Sequence, residues 1–228
     1  MNKKTLTSCS EYTPVMDELN NLTSSEVISR NGNIDRQIIN SLTEIISKKD
    51  KYTYEHCERV SYYCAVISEY LNLSDKMTAD LSLNAFLHDI GKVAIPEKIL
   101  KKPTSLSENE KEVMQTHPLM GVKLMQTIKC FKNILPSILY HHERYDGAGY
   151  PYGIKETQIP FFARIISVAD SYDAMTSDRP YRKRLGKGIA FNNLISGKKT
   201  QFDPNIVDNF IDAVNPSVIS QPTFKYGS

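Results

Sequence analysis

At 228 residues with 40% hydrophobic side chains, the chain is long enough for one domain of ordinary size with a substantial core. A formal net charge of +2 argues against polymeric nucleic acid as a partner, and no run approaches the roughly 20 consecutive apolar residues of a membrane span. Four cysteines show no Cys-x-x-Cys spacing and the N-terminus carries no apolar leader, so a reduced, cytoplasmic setting is expected.

Residues 1–33 are rich in Ser, Thr, Asn and Glu and close on the turn-prone Arg30-Asn31-Gly32-Asn33, so they read as a polar tail or a short helical element. A single domain is expected over 34–215, with a second tail at 216–228. Ile34, Ile38, Leu42, Ile45 and Ile46 follow a helical spacing that Lys48-Lys49-Asp50-Lys51 interrupts. Over 54–71, His56, Val60, Tyr63 and Ile67 recur at steps of three or four, which puts His56 on a buried stripe. There it is either a core histidine satisfied by a backbone carbonyl or a ligand.

Ser74, with Asp75 in the first turn, is a good N-cap for the helix that follows. Its apolar run over 81–87 ends in His88-Asp89-Ile90-Gly91-Lys92. Adjacent helical side chains point about 100° apart, so His88 and Asp89 can meet one cation only where the helix ends, or where the carboxylate reaches a second ion. A capping Asp beside a satisfied core His is the plainer alternative.

Residues 95–103 read as a connector with at most a short helix, and Ser107 with Glu110 forms a capping box for the next one. Pro118 predicts a break at His117, and a short helix is expected over 134–142. Its terminal His141-His142 opens a loop rich in Gly and Tyr that runs from Glu143 to Gly153. Such a loop is either plain surface or a place where a base or sugar stacks while backbone approaches a ligand. From Pro160 the chain is apolar nearly all round up to Asp170, and no other Asp has so apolar an approach. A lone buried carboxylate is costly unless paired or bound to metal. The run from Asp178 to Arg184, with Arg179 and Arg182, is a solvated charged stretch or a phosphate clamp. Two short helices over the remainder close the bundle.

No segment alternates apolar and polar residues, so the fold is expected to be all-α, a single-domain helical bundle. Neither a P-loop nor a Gly-x-Ser-x-Gly elbow is present. All five histidines, His56, His88, His117, His141 and His142, fall at or near ends or breaks of apolar segments. Imidazole with carboxylate suits Fe, Mn, Zn or Ni, whereas Mg and Ca prefer oxygen shells. Five His with two or more Asp are too many for one ion and suit two ions sharing a carboxylate.

Assembled, these motifs resemble the HD-GYP domain, a branch of the HD phosphohydrolase superfamily. The signatures are His88-Asp89-Ile90-Gly91-Lys92, His117-Pro118, His141-His142-Glu143-Arg144-Tyr145-Asp146-Gly147, Gly149-Tyr150-Pro151, and Ile159-Pro160 through Ala163-Arg164 to Asp170. The resemblance implies an HD-type bundle with a GYP loop, and a phosphodiesterase that hydrolyses cyclic di-GMP to pGpG, with GMP as a second product. It implies one divalent ion held by His56, His88, Asp89 and Asp170, and a second held by Asp89, His117, His141 and His142. Fe or Mn are the expected metals, with Zn or Ni as alternatives. Some family members add a third metal through a Glu that Tyr52 replaces here, so two ions are expected.

By the same resemblance, Asp89 and Lys92 are the catalytic residues, and Lys92, Tyr150, Arg179 and Arg182 contact substrate. A bridging hydroxide would attack phosphorus. Two divalent ions bring about +4, two aspartates remove about 2 and the hydroxide about 1, leaving roughly +1 to attract a phosphodiester. Two other substrate readings stay open: 3′,3′-cyclic GMP-AMP, or an HD-type nucleotidase, against which the His141-His142 doublet and GYP loop argue. A catalytically weak module that binds cyclic dinucleotide and signals is the non-enzymatic alternative. A homodimer or a regulatory protein partner is compatible with each.

Overall fold

A computed structural model describes residues 32–178 and 183–215. The C-terminal tail expected at 216–228, all but the end of the expected N-terminal one, and Arg179 and Arg182 lie outside the described residues. Among the described residues every regular element is helical, the one β feature being an isolated bridge between Lys198 and Phe202. The all-α expectation holds. No described helix is long and apolar enough to cross a membrane.

The first helices, α1 (Gly32–Lys49) and α2 (Lys51–Tyr70), are separated by Asp50 alone. Its extended backbone ends one helix, and its carboxylate accepts from Thr53 N at 3.1 Å to start the next. Gly32 and Asn33, expected in a turn, belong to α1. The Ser74 cap forms as expected and opens α3 (Asp75–Leu87), which makes with α2 the most extensive helix contact among the described residues. At His88 this helix stops, and a 3-10 helix (Ile90–Ala94) takes over after Asp89. His88 keeps helical backbone angles but Asp89, at φ −98° and ψ 10°, leaves them, the condition under which the two adjacent side chains can aim at one place.

After α4 (Glu97–Leu100), the capping box at Ser107 and Glu110 starts α5 (Glu108–Met114). The expected break precedes α6 (His117–Met125), where Pro118 sits in the first turn and its missing N–H costs nothing. The helix expected over 134–142 is instead a 3-10 turn (Lys129–Ile134) followed by α7 (Leu135–Tyr140), with His141 as its C-cap and His142 beyond it. A further 3-10 turn (Glu156–Gln158) leads to α8 (Phe161–Thr176), and α9 (Lys187–Ser196) and α10 (Pro204–Val214) close the bundle.

Two apolar cores form. One gathers Val60, Leu81, Ala85, Ile165, Ala169, Tyr172 and Phe210, and the other Ile46, Cys57, Phe86, Leu87, Ile90 and Ile138. Each such large side chain contributes about 1.5–3 kcal/mol when buried. The cores meet along α2 and α3, since Cys57 belongs to one and Val60 to the other, as do Leu87 and Ala85. His56 and His88 lie on these two helices at that seam, so the functional cluster is framed by packed side chains on both sides.

Candidate metal centre

Asp89 is the hub. It is 2% exposed, and its two carboxylate oxygens face different partners. Oδ1 lies 3.2 Å from His117 Nε2 and 3.9 Å from His141 Nε2. Oδ2 lies 3.4 Å from His88 Nε2, 3.7 Å from His56 Nε2 and 2.5 Å from Lys92 Nζ. Asp170 completes this side, with Oδ1 at 3.2 Å from His56 Nε2. The donor atoms fall into two groups, Asp89 with His117, His141 and His142, and His56 with His88 and Asp170, each with all its donors within 4.8 Å of one another. The first group has the same members as one set that the resemblance implies; the second lacks Asp89, whose Oδ2 lies 3.4 and 3.7 Å from its two imidazoles.

The imidazoles are aimed by their second nitrogens. Nδ1 of His88 meets Ala85 O at 2.5 Å, that of His117 meets Met114 O at 2.8 Å, and that of His141 meets Ile138 O at 2.8 Å. A carbonyl can only accept, so each Nδ1 carries the proton and each Nε2 presents its lone pair to the cluster. His56 differs: its Nδ1 donates to Asp173 Oδ2 at 2.7 Å rather than to a carbonyl.

This donor set fits divalent metal. Nε2 of His88 and Oδ1 of Asp89 are buried without a hydrogen-bond partner, although the latter is within ion-pair distance of His117. Buried polar atoms left so are rare and costly, and both point into the cluster. Nε2 atoms of His117 and His141 lie only 3.2 Å apart, an arrangement that a shared cation satisfies.

Electrostatics follow from burial and charge. Burial, then neighbouring His142, holds His141 well below the usual imidazole range, and burial with His117 brings His142 down to about 3. Both are neutral at neutral pH. Burial also opposes charge on His56, but hydrogen bonds to Asp170 and Asp173 outweigh it and push its pKa up to about 9. Asp89 and Asp170 are held low despite burial, Asp89 chiefly by Lys92 and His88 and Asp170 chiefly by His56.

Beside the cluster the loop after His142 folds back on itself. Tyr150 N donates to His142 O at 3.3 Å, and the Tyr150 ring stacks on His142 with centroids 4.8 Å apart and planes 25° apart. Glu143, 2% exposed, accepts through Oε1 from Tyr152 N at 2.7 Å and Gly153 N at 3.1 Å. Gly149 is required by closeness: a Cβ there would lie 2.3 Å from Arg144 N and 2.5 Å from Glu143 Cα. Tyr150 thus stands next to the metal-ligand candidates, as does Lys92. Arg179 and Arg182, expected to contact phosphate, lie outside the described residues.

A second buried carboxylate, which the sequence did not single out, follows on the same helix: the Asp173 side chain is 0% exposed against 18% for that of Asp170. Its carboxylate is saturated by His56, by Arg59 Nε at 2.6 Å and Nη2 at 3.1 Å, and by Ser177 Oγ at 2.9 Å. A sequence signal for it exists in retrospect. His56 and Arg59 are three residues apart, as are Asp170 and Asp173, so each pair shares a helix face.

Residues 40–206 match the HD domain family. Over 176 residues the chain is 39% identical to the cyclic di-GMP phosphodiesterase response regulator RpfG of Xanthomonas campestris, covering 76% of this chain and 47% of that protein. It is 34% identical over 178 residues to 3′3′-cGAMP-specific phosphodiesterase 3 of Vibrio cholerae, covering 78% of this chain and 39% of that one. The chain thus spans less than half the length of either relative. Among solved structures, the HDG"Y"P protein Bd1817 of Bdellovibrio bacteriovorus superposes with a TM-score of 0.62 at 20% identity, covering 94% of this chain and 65% of that one, a likeness of fold. With the family match spanning most of the chain and the motifs from His88 to Pro151 converging on one cluster, the chain belongs to the HD-domain family, in its HD-GYP branch.

Proposed function

We propose that this chain is a metal-dependent phosphodiesterase that hydrolyses cyclic di-GMP to pGpG, with a second hydrolysis to GMP open to the same site. The observation that carries the reading is the division of Asp89, whose Oδ1 faces His117 and His141 while Oδ2 faces His56 and His88. That is the disposition of a carboxylate shared by two cations. His56, His88, Asp89 and Asp170 would hold one divalent ion, and Asp89, His117, His141 and His142 the other. Fe or Mn fit this mixed imidazole and carboxylate set, as Zn or Ni do. When bound, such ions polarise phosphoryl oxygens and lower the pKa of water towards 7.

The chain's own residues do the rest. Neutral His141 and His142 offer lone pairs without first losing a proton. Lys92 carries an ammonium beside Asp89, where it can offset charge that builds on the phosphoryl group or the leaving oxygen. Tyr150, its hydroxyl kept protonated by burial, presents an aromatic face on which a guanine or ribose can stack. Arg179 and Arg182 would bind the phosphate remote from the metals. A cytoplasmic setting belongs to this proposal and agrees with the free, buried thiols of Cys57 and Cys64.

A second substrate, 3′,3′-cyclic GMP-AMP, is favoured by the likeness to the Vibrio phosphodiesterase named for it. The test is turnover of both dinucleotides by anaerobically purified protein loaded with Fe or Mn, with products separated by chromatography. Conversion of cyclic di-GMP to pGpG is expected. Faster turnover of cyclic GMP-AMP would move the assignment to that substrate, and binding of either without hydrolysis would make the chain a signalling module.

A further inference from the structure

The five histidines of the cluster are not held alike. His88 and His141 rest on carbonyls of the helices they end and His117 on the last carbonyl of α5, each three residues back and each a neutral acceptor fixed by local backbone. His56 rests on a charged carboxylate from α8, over a hundred residues away in sequence. That carboxylate is itself immobilised. Arg59 grips Asp173 with Nε and Nη2 at 2.6 and 3.1 Å, and Ser177 Oγ adds a fourth bond at 2.9 Å. Nothing in core packing requires an ion pair here, since a buried pair of this kind offsets its own desolvation only when its geometry is saturated.

We propose that Asp173, clamped by Arg59 and Ser177, is the positioning residue for His56, and that it separately supports cation binding in the His56, His88 and Asp170 half of the cluster. The inference rests on the metal-dependent reading of the site. Because Asp173 can only accept, it fixes the proton on Nδ1 and turns Nε2 towards Asp170 and Asp89, 3.2 and 3.7 Å away. Its charge also makes the imidazole a stronger donor to a cation. Arg59 neutralises the surplus charge and prevents the carboxylate from rotating to bind the cation itself. In the other half, His117 and His141 rest on neutral carbonyls rather than on a carboxylate, so that half should not notice the loss of Asp173.

The test uses the full chain, stripped of metal and titrated with manganese(II) alone. Wild type is expected to bind two ions and to give the spectrum of an exchange-coupled manganese pair by electron paramagnetic resonance. Asp173→Asn keeps the shape of the side chain and removes its charge. It should weaken one of the two ions about 10–100-fold, the usual effect of losing a carboxylate behind a ligating histidine. The spectrum should then collapse to the hyperfine sextet of isolated manganese. Arg59→Lys, which keeps the charge and loses the fork, should shift the same ion in the same direction by less, and it serves as the readout if Asp173→Asn does not fold.

A purely structural role would lower the melting temperature of the metal-free protein and weaken both ions together, and that result overturns the proposal. So does a coupled pair of unchanged affinity in the variants, or a single wild-type ion that the variants retain. A wild type that binds no manganese sinks the metal-dependent reading first, and this inference with it.

Discussion

Lys92 Nζ donates to Asp89 Oδ2 at 2.5 Å, on the side of the carboxylate that faces His56 and His88 rather than His117 and His141. Burial opposes charge on this ammonium, but the attraction of Asp89 and the hydrogen bond to it hold the lysine above its ordinary range. It therefore stays charged throughout neutral pH. A fixed positive charge beside the reacting group matters most where negative charge is greatest, in the transition state. Lys92→Ala should lower kcat by about 10²–10³-fold, the scale of losing one electrostatic stabiliser, with metal content retained. Steady-state kinetics with elemental analysis decide it: unchanged kcat with only a higher KM would leave Lys92 a binding residue.

Asp89→Ala removes the carboxylate that, among the described residues, faces both histidine sets with its two oxygens. Loss of a shared ligand should empty or loosen both cation positions, so turnover should disappear and metal content should fall together. Measuring both on the same sample is essential, because two ions bound with activity retained would place the bridge elsewhere. Asp170→Ala is the contrast. Asp170 belongs to the His56 and His88 group alone, so its loss should weaken one ion and spare the other.

The ligand candidates were legible in the sequence because metal chemistry leaves few residue types to choose from. Five histidines, all at ends or breaks of apolar segments, are hard to spend otherwise, and Asp170 announces itself by following a long apolar run. Asp173 was hidden by its neighbours: Ser171 and Tyr172 interrupt that run, and its partners His56 and Arg59 lie more than a hundred residues earlier. Glu143 was legible only as a letter of the motif. Its role in tying down Tyr152 and Gly153 depends on loop backbone, whose path no periodicity encodes. Helix boundaries around 134–142 were blurred for a related reason, since Pro136 inside α7 is compatible with either a continuous helix or a 3-10 turn before it.

The raised pKa of His56 gives metal binding and metal-free stability opposite pH dependences. Its folded value of about 9 exceeds the unfolded value near 6.5, so its stabilising contribution is full below about pH 6.5 and is lost as pH rises through about 9. The depressed Asp89 and Asp170 contribute stability that is lost only as pH falls below about 4. A cation, in contrast, needs His56 neutral, so binding at about pH 7 must displace its proton. Metal affinity should therefore rise between about pH 6 and pH 9 while the melting temperature of the metal-free protein falls. Calorimetry in buffers of different ionisation enthalpy measures the proton released. Uptake of metal with no proton release at about pH 7 would contradict the assignment.

Gly91 lies in the motif for a steric reason that can be tested without activity. A Cβ at this position would lie 1.8 Å from His117 O and 2.6 Å from Gly121 N, both backbone atoms that cannot swing aside. The 3-10 helix carrying Lys92 and the first turn of α6 carrying His117 therefore pass closer than any side chain allows. Gly91→Ala must push the two apart, which moves His117 away from Asp89 Oδ1, now 3.2 Å from its Nε2. Overpacking of this kind costs about 1–3 kcal/mol or more. The melting temperature should drop by several degrees. Because His56, His88 and Asp170 are not carried by the displaced turn, the variant should lose the ion of the His117, His141 and His142 group before the other. Manganese titration of Gly91→Ala should show one weakened site, and two sites of wild-type affinity in a variant of unchanged melting temperature would mean that the close approach does not organise the cluster.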